Sequence, residues 1–147
     1  RTYGARRGAG SFCESGGTGA RRLALADPPP LERMLVATGF GYEPSRRAKQ
    51  AEVVAELISQ VRDIRRMGAA AVDMCSVAAG RVDAYYEAGL SIWDLAAGQL
   101  IATEAGAAVE AIEGGPPKPG SVLVCHPDRI DSMRSLLLSC GIESTLT

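Results

Sequence analysis

Apolar residues fall into short blocks along the chain, and their spacing changes from block to block. RMLVATGF (33–40) is an almost continuous apolar run that closes on Gly39, the pattern of a buried strand. In 45–61, SRRAKQAEVVAELISQV, residues Ala51, Val54, Ala55, Ile58 and Val61 recur at helical spacing. That predicts an amphipathic helix with Ser45 as its N-cap. DIRRM reads as a short strand or turn closed by Gly68, and AAAVDMCSVAAG (69–80) as a helix with Gly80 as its C-cap. VDAYYEA (82–88) suits a strand. Residues 92–105 are apolar almost all round, which predicts a buried helix. AAVEAI (107–112) alternates as a strand, GGPPKPG is a turn, SVLVC (121–125) is a buried strand, and Pro127 opens a last helix to about Ser139. Upstream, Tyr3 to Ala5 and Ser11 to Cys13 read as short strands joined by a turn through Arg7-Gly8-Ala9-Gly10. Strands and helices alternate, so the expected class is layered α/β, a mixed sheet flanked by helices.

Composition narrows the function classes. The chain has 147 residues, of which 46% are apolar, enough for one compact domain with a core. A formal net charge of −1 excludes a general pull toward nucleic acid or anionic lipid. The basic opening (Arg1, Arg6, Arg7, Arg21, Arg22) reads as a solvated edge. No stretch approaches the ~20 apolar residues of a membrane span, and no signal peptide is visible. The four cysteines, Cys13, Cys75, Cys125 and Cys140, are far apart and show no C-x-x-C. They read as buried free thiols, which fits a reducing, cytoplasmic setting. Neither GARRGAG nor GGTGARR satisfies a nucleotide-cradling pattern.

The candidate chemistry gathers around SIWDLAAGQLIATEAG (91–106). Ser91-Ile92-Trp93-Asp94 fits a capping box, and a carboxylate in a first helical turn is favoured by the dipole. Asp94 is also a candidate ligand for a hard cation such as Mg²⁺, but one aspartate does not make that site. Glu87, at the end of the Tyr85-Tyr86 strand, and Gly68-Ala69-Ala70, at a helix start, are the residues expected to converge on it. His126 reads as structural.

WDLAAGQLIATEAG closely resembles the C-terminal signature of the inositol monophosphatase family, W-D-x-A-A-G-x-L-I-x-x-E-A-G. GAAAVDMCSVAAGRVDAYYEAGLSIWD, ARRGAGSF and LVATGFGY resemble family segments in the same order. The resemblance implies the C-terminal part of an αβαβα sugar-phosphatase fold. It implies Mg²⁺-dependent hydrolysis of inositol monophosphate, a small phosphorylated polyol, by a cytoplasmic homodimer with no membrane or direct nucleic-acid partner. It assigns Asp94 to a metal ion, Glu87 to a substrate hydroxyl, and Gly68, Ala69 and Ala70 to the substrate ring. Ala69 stands where Ser or Thr is usual. The family's G-E-E glutamate and D-P-[IL]-D-G-T segment have no counterpart, since the only Asp-Pro is Asp27-Pro28. The chain also begins at Arg1. The expectation is therefore a C-terminal portion, with 1–44 a remnant of the N-terminal subdomain and connection and 45–147 the C-terminal α/β subdomain, inactive alone. Fructose 1,6-bisphosphate, histidinol phosphate and nucleotide 3′-phosphates are alternative substrates within the family. A non-catalytic interaction or dimerisation module, using Arg65 and Arg66, is the alternative outside the enzyme class.

Overall fold

The computed structural model describes residues 1–17 and 19–146; Thr18, inside GGTGARR, and Thr147 lie outside the described residues. The first three strands, β1 (Thr2–Arg6), β2 (Gly10–Glu14) and β3 (Ala20–Arg22), form a small antiparallel sheet in that order. Gly8 and Gly10, at φ 73° and 88°, supply the left-handed conformations that the β1–β2 turn needs.

The main sheet has five strands: β4 (Leu35–Thr38), β5 (Asp63–Arg65), β6 (Ala84–Ala88), β7 (Ala108–Glu110) and β8 (Ser121–Cys125). Their order is β5-β4-β6-β8-β7. β4 runs parallel to β5 and β6, whereas β8 is antiparallel to both β6 and β7. Among the described residues, four α-helices flank the sheet: α1 (Pro44–Leu57), α2 (Ala70–Ala78), α3 (Ile92–Glu104) and α4 (Ile130–Ser139).

Period-two alternation gives each face of this sheet its own core. Val36, Ala84, Tyr86, Leu123 and Cys125 pack with Val53 and Leu57 of α1 and Met133 and Leu137 of α4. Ala37, Tyr85, Val122 and Val124 pack with Met74 and Val77 of α2 and Leu95 and Ala102 of α3. Full burial of each large aliphatic side chain stabilises by about 1.5–3 kcal/mol. The small sheet covers the far side of α2 and α3, where Cys13 and Leu23 meet Cys75, Ala78 and Ile101. Glu104 fastens it, its two carboxylate oxygens accepting the Gly8 and Gly10 N–H groups at 2.7 and 2.8 Å. The layers therefore run α1/α4, five-stranded sheet, α2/α3, small sheet. The mixed α/β class expected from the sequence is the class observed, and all four cysteines are buried and free.

Several local expectations are corrected. Glu43, not Ser45, caps α1, its side chain accepting the Ser45 N–H at 3.2 Å, with Pro44 in the first turn. The face of α1 that is buried holds Gln50, Val53 and Leu57, while Ala51, Ala55 and Ile58 are exposed. In AEVVAEL the larger side chains turn inward because they bury more area than alanine. α3 is not buried all round: the small sheet covers only its C-terminal part, so Trp93 is 78% exposed and Ile92 is 56% exposed. β4, from the segment before residue 45, is hydrogen-bonded between β5 and β6. The last helix is preceded by a 3-10 turn, Pro127–Arg129, and starts at Ile130. β3, three exposed residues, carries no apolar signal and was not expected.

Candidate functional site

The parallel strands β5, β4 and β6 end at one edge of the main sheet, and each leads into a helix N-terminus. β4 continues through Gly39–Glu43 into α1, β5 through Arg66–Ala69 into α2, and β6 through Gly89–Ser91 into α3. The carboxyl ends of parallel strands are where open α/β sheets collect ligands, and helix N-termini favour anions there. Residues of all three connections line one open cleft of about 200 Å³.

Asp94, Glu87, Gly68, Ala69 and Ala70 all lie on its lining, so the structure brings together the five residues singled out in the sequence. Glu87 is held from two sides. The Tyr85 hydroxyl, two residues back on the same face of β6, donates to Glu87 Oε2 at 2.6 Å. Gly39, at the end of β4, leaves the space the carboxylate occupies, since a Cβ there would overlap it. Partial burial raises the Glu87 pKa above the usual range, while the Tyr85 hydrogen bond and the Arg66 charge oppose the shift. Burial also pushes the Tyr85 hydroxyl far above its ordinary value, with the Glu87 charge adding to the effect. Asp94 Oδ2 accepts the Ser91 N–H at 2.9 Å, so Asp94 caps α3 and faces the cleft at once.

Behind the α2 turn lies Asp73, fully buried, with neither carboxylate oxygen in a hydrogen bond. Burial, then the Glu87 charge, raises its pKa to about 6; the nearby Ala69 amide and Arg66 act the other way. Gln50 ties the rim together. Its Oε1 accepts the Gly41 N–H at 2.8 Å and its Nε2 donates to the Ala88 carbonyl at 3.4 Å, linking the connection after β4 to the end of β6.

Among the described residues, no group of three or more His, Cys, Asp or Glu side chains is placed to hold a metal ion. A protein-bound Mg²⁺ takes one or two carboxylates together with phosphate and water oxygens in a near-octahedral set. Glu87 and Asp94 each already accept one hydrogen bond, from Tyr85 and from the Ser91 N–H, and these two carboxylates do not make a Mg²⁺ centre by themselves. His126 accepts the Asp128 N–H through Nδ1 at 3.1 Å and caps the 3-10 turn outside the cleft. Arg65 pairs with Asp63 within β5, whereas Arg66 lines the cleft. Sequence reasoning missed Gly39, Gln50, Asp73, Tyr85 and Arg46 as parts of the cleft or its support. Only Tyr85 left a signal, being two positions from Glu87 and so on the same strand face.

A sequence profile described as "Inositol monophosphatase family" matches residues 1–137. The inositol-1-monophosphatase of Mycobacterium bovis is 60% identical over 79 residues, 54% of this chain and 27% of that protein. The chloroplastic phosphatase IMPL1 of Arabidopsis thaliana is 39% identical over 156 aligned positions, covering 99% of this chain and 41% of that protein. The solved structure of Mycobacterium tuberculosis SuhB superposes with a TM-score of 0.83 at 42% identity, covering 94% of this chain and 54% of that one. The chain thus spans about half the length of that solved relative, and less of the other two.

Proposed function

The chain belongs to the inositol monophosphatase family, and from that premise we propose that its cleft binds a phosphorylated polyol, inositol monophosphate first, as one wall of a phosphate-monoester hydrolase site. The observation that carries this reading is the meeting of Glu87, Asp94 and the start of α2 in a single cleft. Glu87, oriented by Tyr85, accepts a hydrogen bond from a ring hydroxyl. Amides at the α2 N-terminus donate to a hydroxyl or phosphate oxygen beside Gly68, whose missing side chain allows close approach. Asp94 offers one carboxylate to a Mg²⁺ ion that other ligands must complete. Such an ion, when bound, would polarise the phosphate and acidify a water.

Phosphate-monoester hydrolysis is among the slowest uncatalysed reactions, with enzymatic accelerations up to ~10²¹. One carboxylate does not reach that, so the 147-residue chain with Mg²⁺ is expected to bind inositol 1-phosphate but to release no phosphate above background. Titration calorimetry of the chain and its Glu87→Gln variant, with a phosphate-release assay alongside, tests the reading. Loss of one hydroxyl contact should weaken binding by about tenfold. Turnover by the chain that Asp94→Asn leaves untouched, or binding indifferent to Glu87→Gln, would overturn these roles.

A further inference from the structure

β4 and β6 separate at the cleft. Their ladder runs through Val36↔Ala84, Ala37↔Tyr85 and Thr38↔Tyr86 and stops there. β6 goes on pairing with β8 through Glu87 and Ala88, while the chain after β4 turns away through Gly39–Glu43. Glu87, and Gly39 whose missing side chain leaves room for its carboxylate, therefore both lie one position beyond the last β4–β6 pair. The split also leaves backbone groups to be satisfied. The Gly89 N–H donates to the Gly120 carbonyl at 2.9 Å, on the β8 side. The Ala88 carbonyl belongs to the same trans peptide, so it points the opposite way, toward the side that β4 has left. The Gly41 N–H likewise lies beyond the ladder, and buried backbone groups need partners.

One side chain serves both groups. Gln50 of α1 is 5% exposed; its Oε1 accepts the Gly41 N–H at 2.8 Å and its Nε2 donates to the Ala88 carbonyl at 3.4 Å. A carboxamide offers the donor and acceptor of a peptide group, so Gln50 stands in for the strand neighbour that each side has lost. Two other residues of α1 touch the same region. Arg47 donates to the Gly41 and Tyr42 carbonyls at 3.4 and 3.2 Å, both on the β4 side. Arg46, one turn before Gln50 and less deeply buried, lies across Gly41 and Gly89. Gln50 is thus the buried hydrogen-bonding link from the connection after β4 to the end of β6.

We infer that Gln50 is a positioning residue: by bridging the split strands it holds Gly39 against Glu87, and through Glu87 it sets the preference for a polyol phosphate over a phosphate ester without further hydroxyls. The effect on binding rests on the hydroxyl-accepting role proposed for Glu87; the effect on structure does not. Two measurements on the full chain separate them. Nuclear magnetic resonance of the unliganded chain reads the Overhauser contact between Gly39 Hα and Glu87 Hγ, with the Thr38–Tyr86 ladder contact as the control for folding. Calorimetry with Mg²⁺ compares myo-inositol 1-phosphate with cyclohexyl phosphate, which keeps ring and phosphate but has no other hydroxyl. The unaltered chain is expected to prefer the inositol phosphate about tenfold. Gln50→Met, similar in length but without the carboxamide, should lose the Gly39–Glu87 contact and keep the ladder. Its preference should fall toward one through weaker inositol phosphate binding, with cyclohexyl phosphate unchanged. Arg47→Met, which frees the same connection without touching β6, should keep both contact and preference. If Gln50→Met does not fold, Gln50→Asn, which retains the carboxamide one methylene short, is read in the same way. A Gly39–Glu87 contact that survives in the Gln50 variant, equal weakening of both ligands, or the same loss of preference in Arg47→Met overturns the inference. If Gln50→Met loses the contact while Glu87→Gln leaves the preference unchanged, the positioning stands and the hydroxyl role of Glu87 fails. If Glu87→Gln abolishes the preference while Gln50→Met keeps it, the polyol reading stands and the inference fails. If the unaltered chain shows no preference, the polyol reading fails and the Gly39–Glu87 contact alone decides the positioning.

Discussion

Asp73 is the residue whose surroundings conflict most with its chemistry: a fully buried carboxylate without a hydrogen bond. Its folded pKa, about 6, lies above its ordinary value of 3.8. The native state therefore holds the proton more tightly than the unfolded chain does, and stability falls as pH rises between those two values. Asp73→Asn removes the charge, so it should raise the melting temperature at pH 8, by roughly 1–3 kcal/mol in stability, and the gain should vanish below about pH 4. Thermal melts of both proteins across that range check it. Gly39 makes the complementary point. Gly39→Ala places a Cβ where the Glu87 carboxylate sits, with an expected cost of about 1–3 kcal/mol together with weaker inositol 1-phosphate binding. Denaturant titration and calorimetry would report the two effects separately.

At the scale of elements, the α2–α3 contact decides where Asp94 sits. Gly98 lies where these helices touch, and a Cβ there would meet Met74 Cε at 2.8 Å and the Ala71 Cα at 3.2 Å. In an exposed helix Gly→Ala stabilises by about 1 kcal/mol. Here the sign should reverse, and Gly98→Val should destabilise by about 1–3 kcal/mol through overpacking, one turn from Asp94. Chemical denaturation of the two variants reads this directly. The link between α3 and the small sheet is polar instead. The Gly8 and Gly10 amides hold Glu104 below the usual carboxylate range, so the attachment is strongest above its ordinary pKa and weakens as pH falls. Glu104→Gln should speed hydrogen exchange at Gly8 and Gly10 while leaving β8 protected.

For the whole molecule, large apolar side chains are exposed at Phe12, Tyr42, Ile58 and Leu138 and around the starts of two helices. Met67 and Val72 near the start of α2, and Ile92 and Trp93 at the start of α3, are all between 44% and 78% exposed. Exposed apolar surface of this kind promotes association. Sedimentation velocity should show the chain self-associating with rising concentration, and Ile92→Ser with Trp93→Ser should shift it toward monomer. A sharp monomer at all concentrations would contradict that. No helix among the described residues is long and apolar enough to cross a membrane.

The order of strands and helices was legible because apolar spacing is a local property, and the buried runs LVAT, AYYEA and SVLVC carry it without ambiguity. The signature around Trp93-Asp94 named the family for a related reason: a cap, a close helix contact at Gly98 and a cleft-facing carboxylate all fall within a few consecutive residues. Other features depended on which surfaces meet. The buried face of α1 was decided by side-chain size against the sheet, and the exposure of α3 by how far the small sheet reaches. Glu87 sits against Gly39, and Arg46 against Gly89, because parallel strands distant in sequence end side by side. Periodicity reports which side of an element is apolar; only the assembled sheet decides which polar residues share an edge.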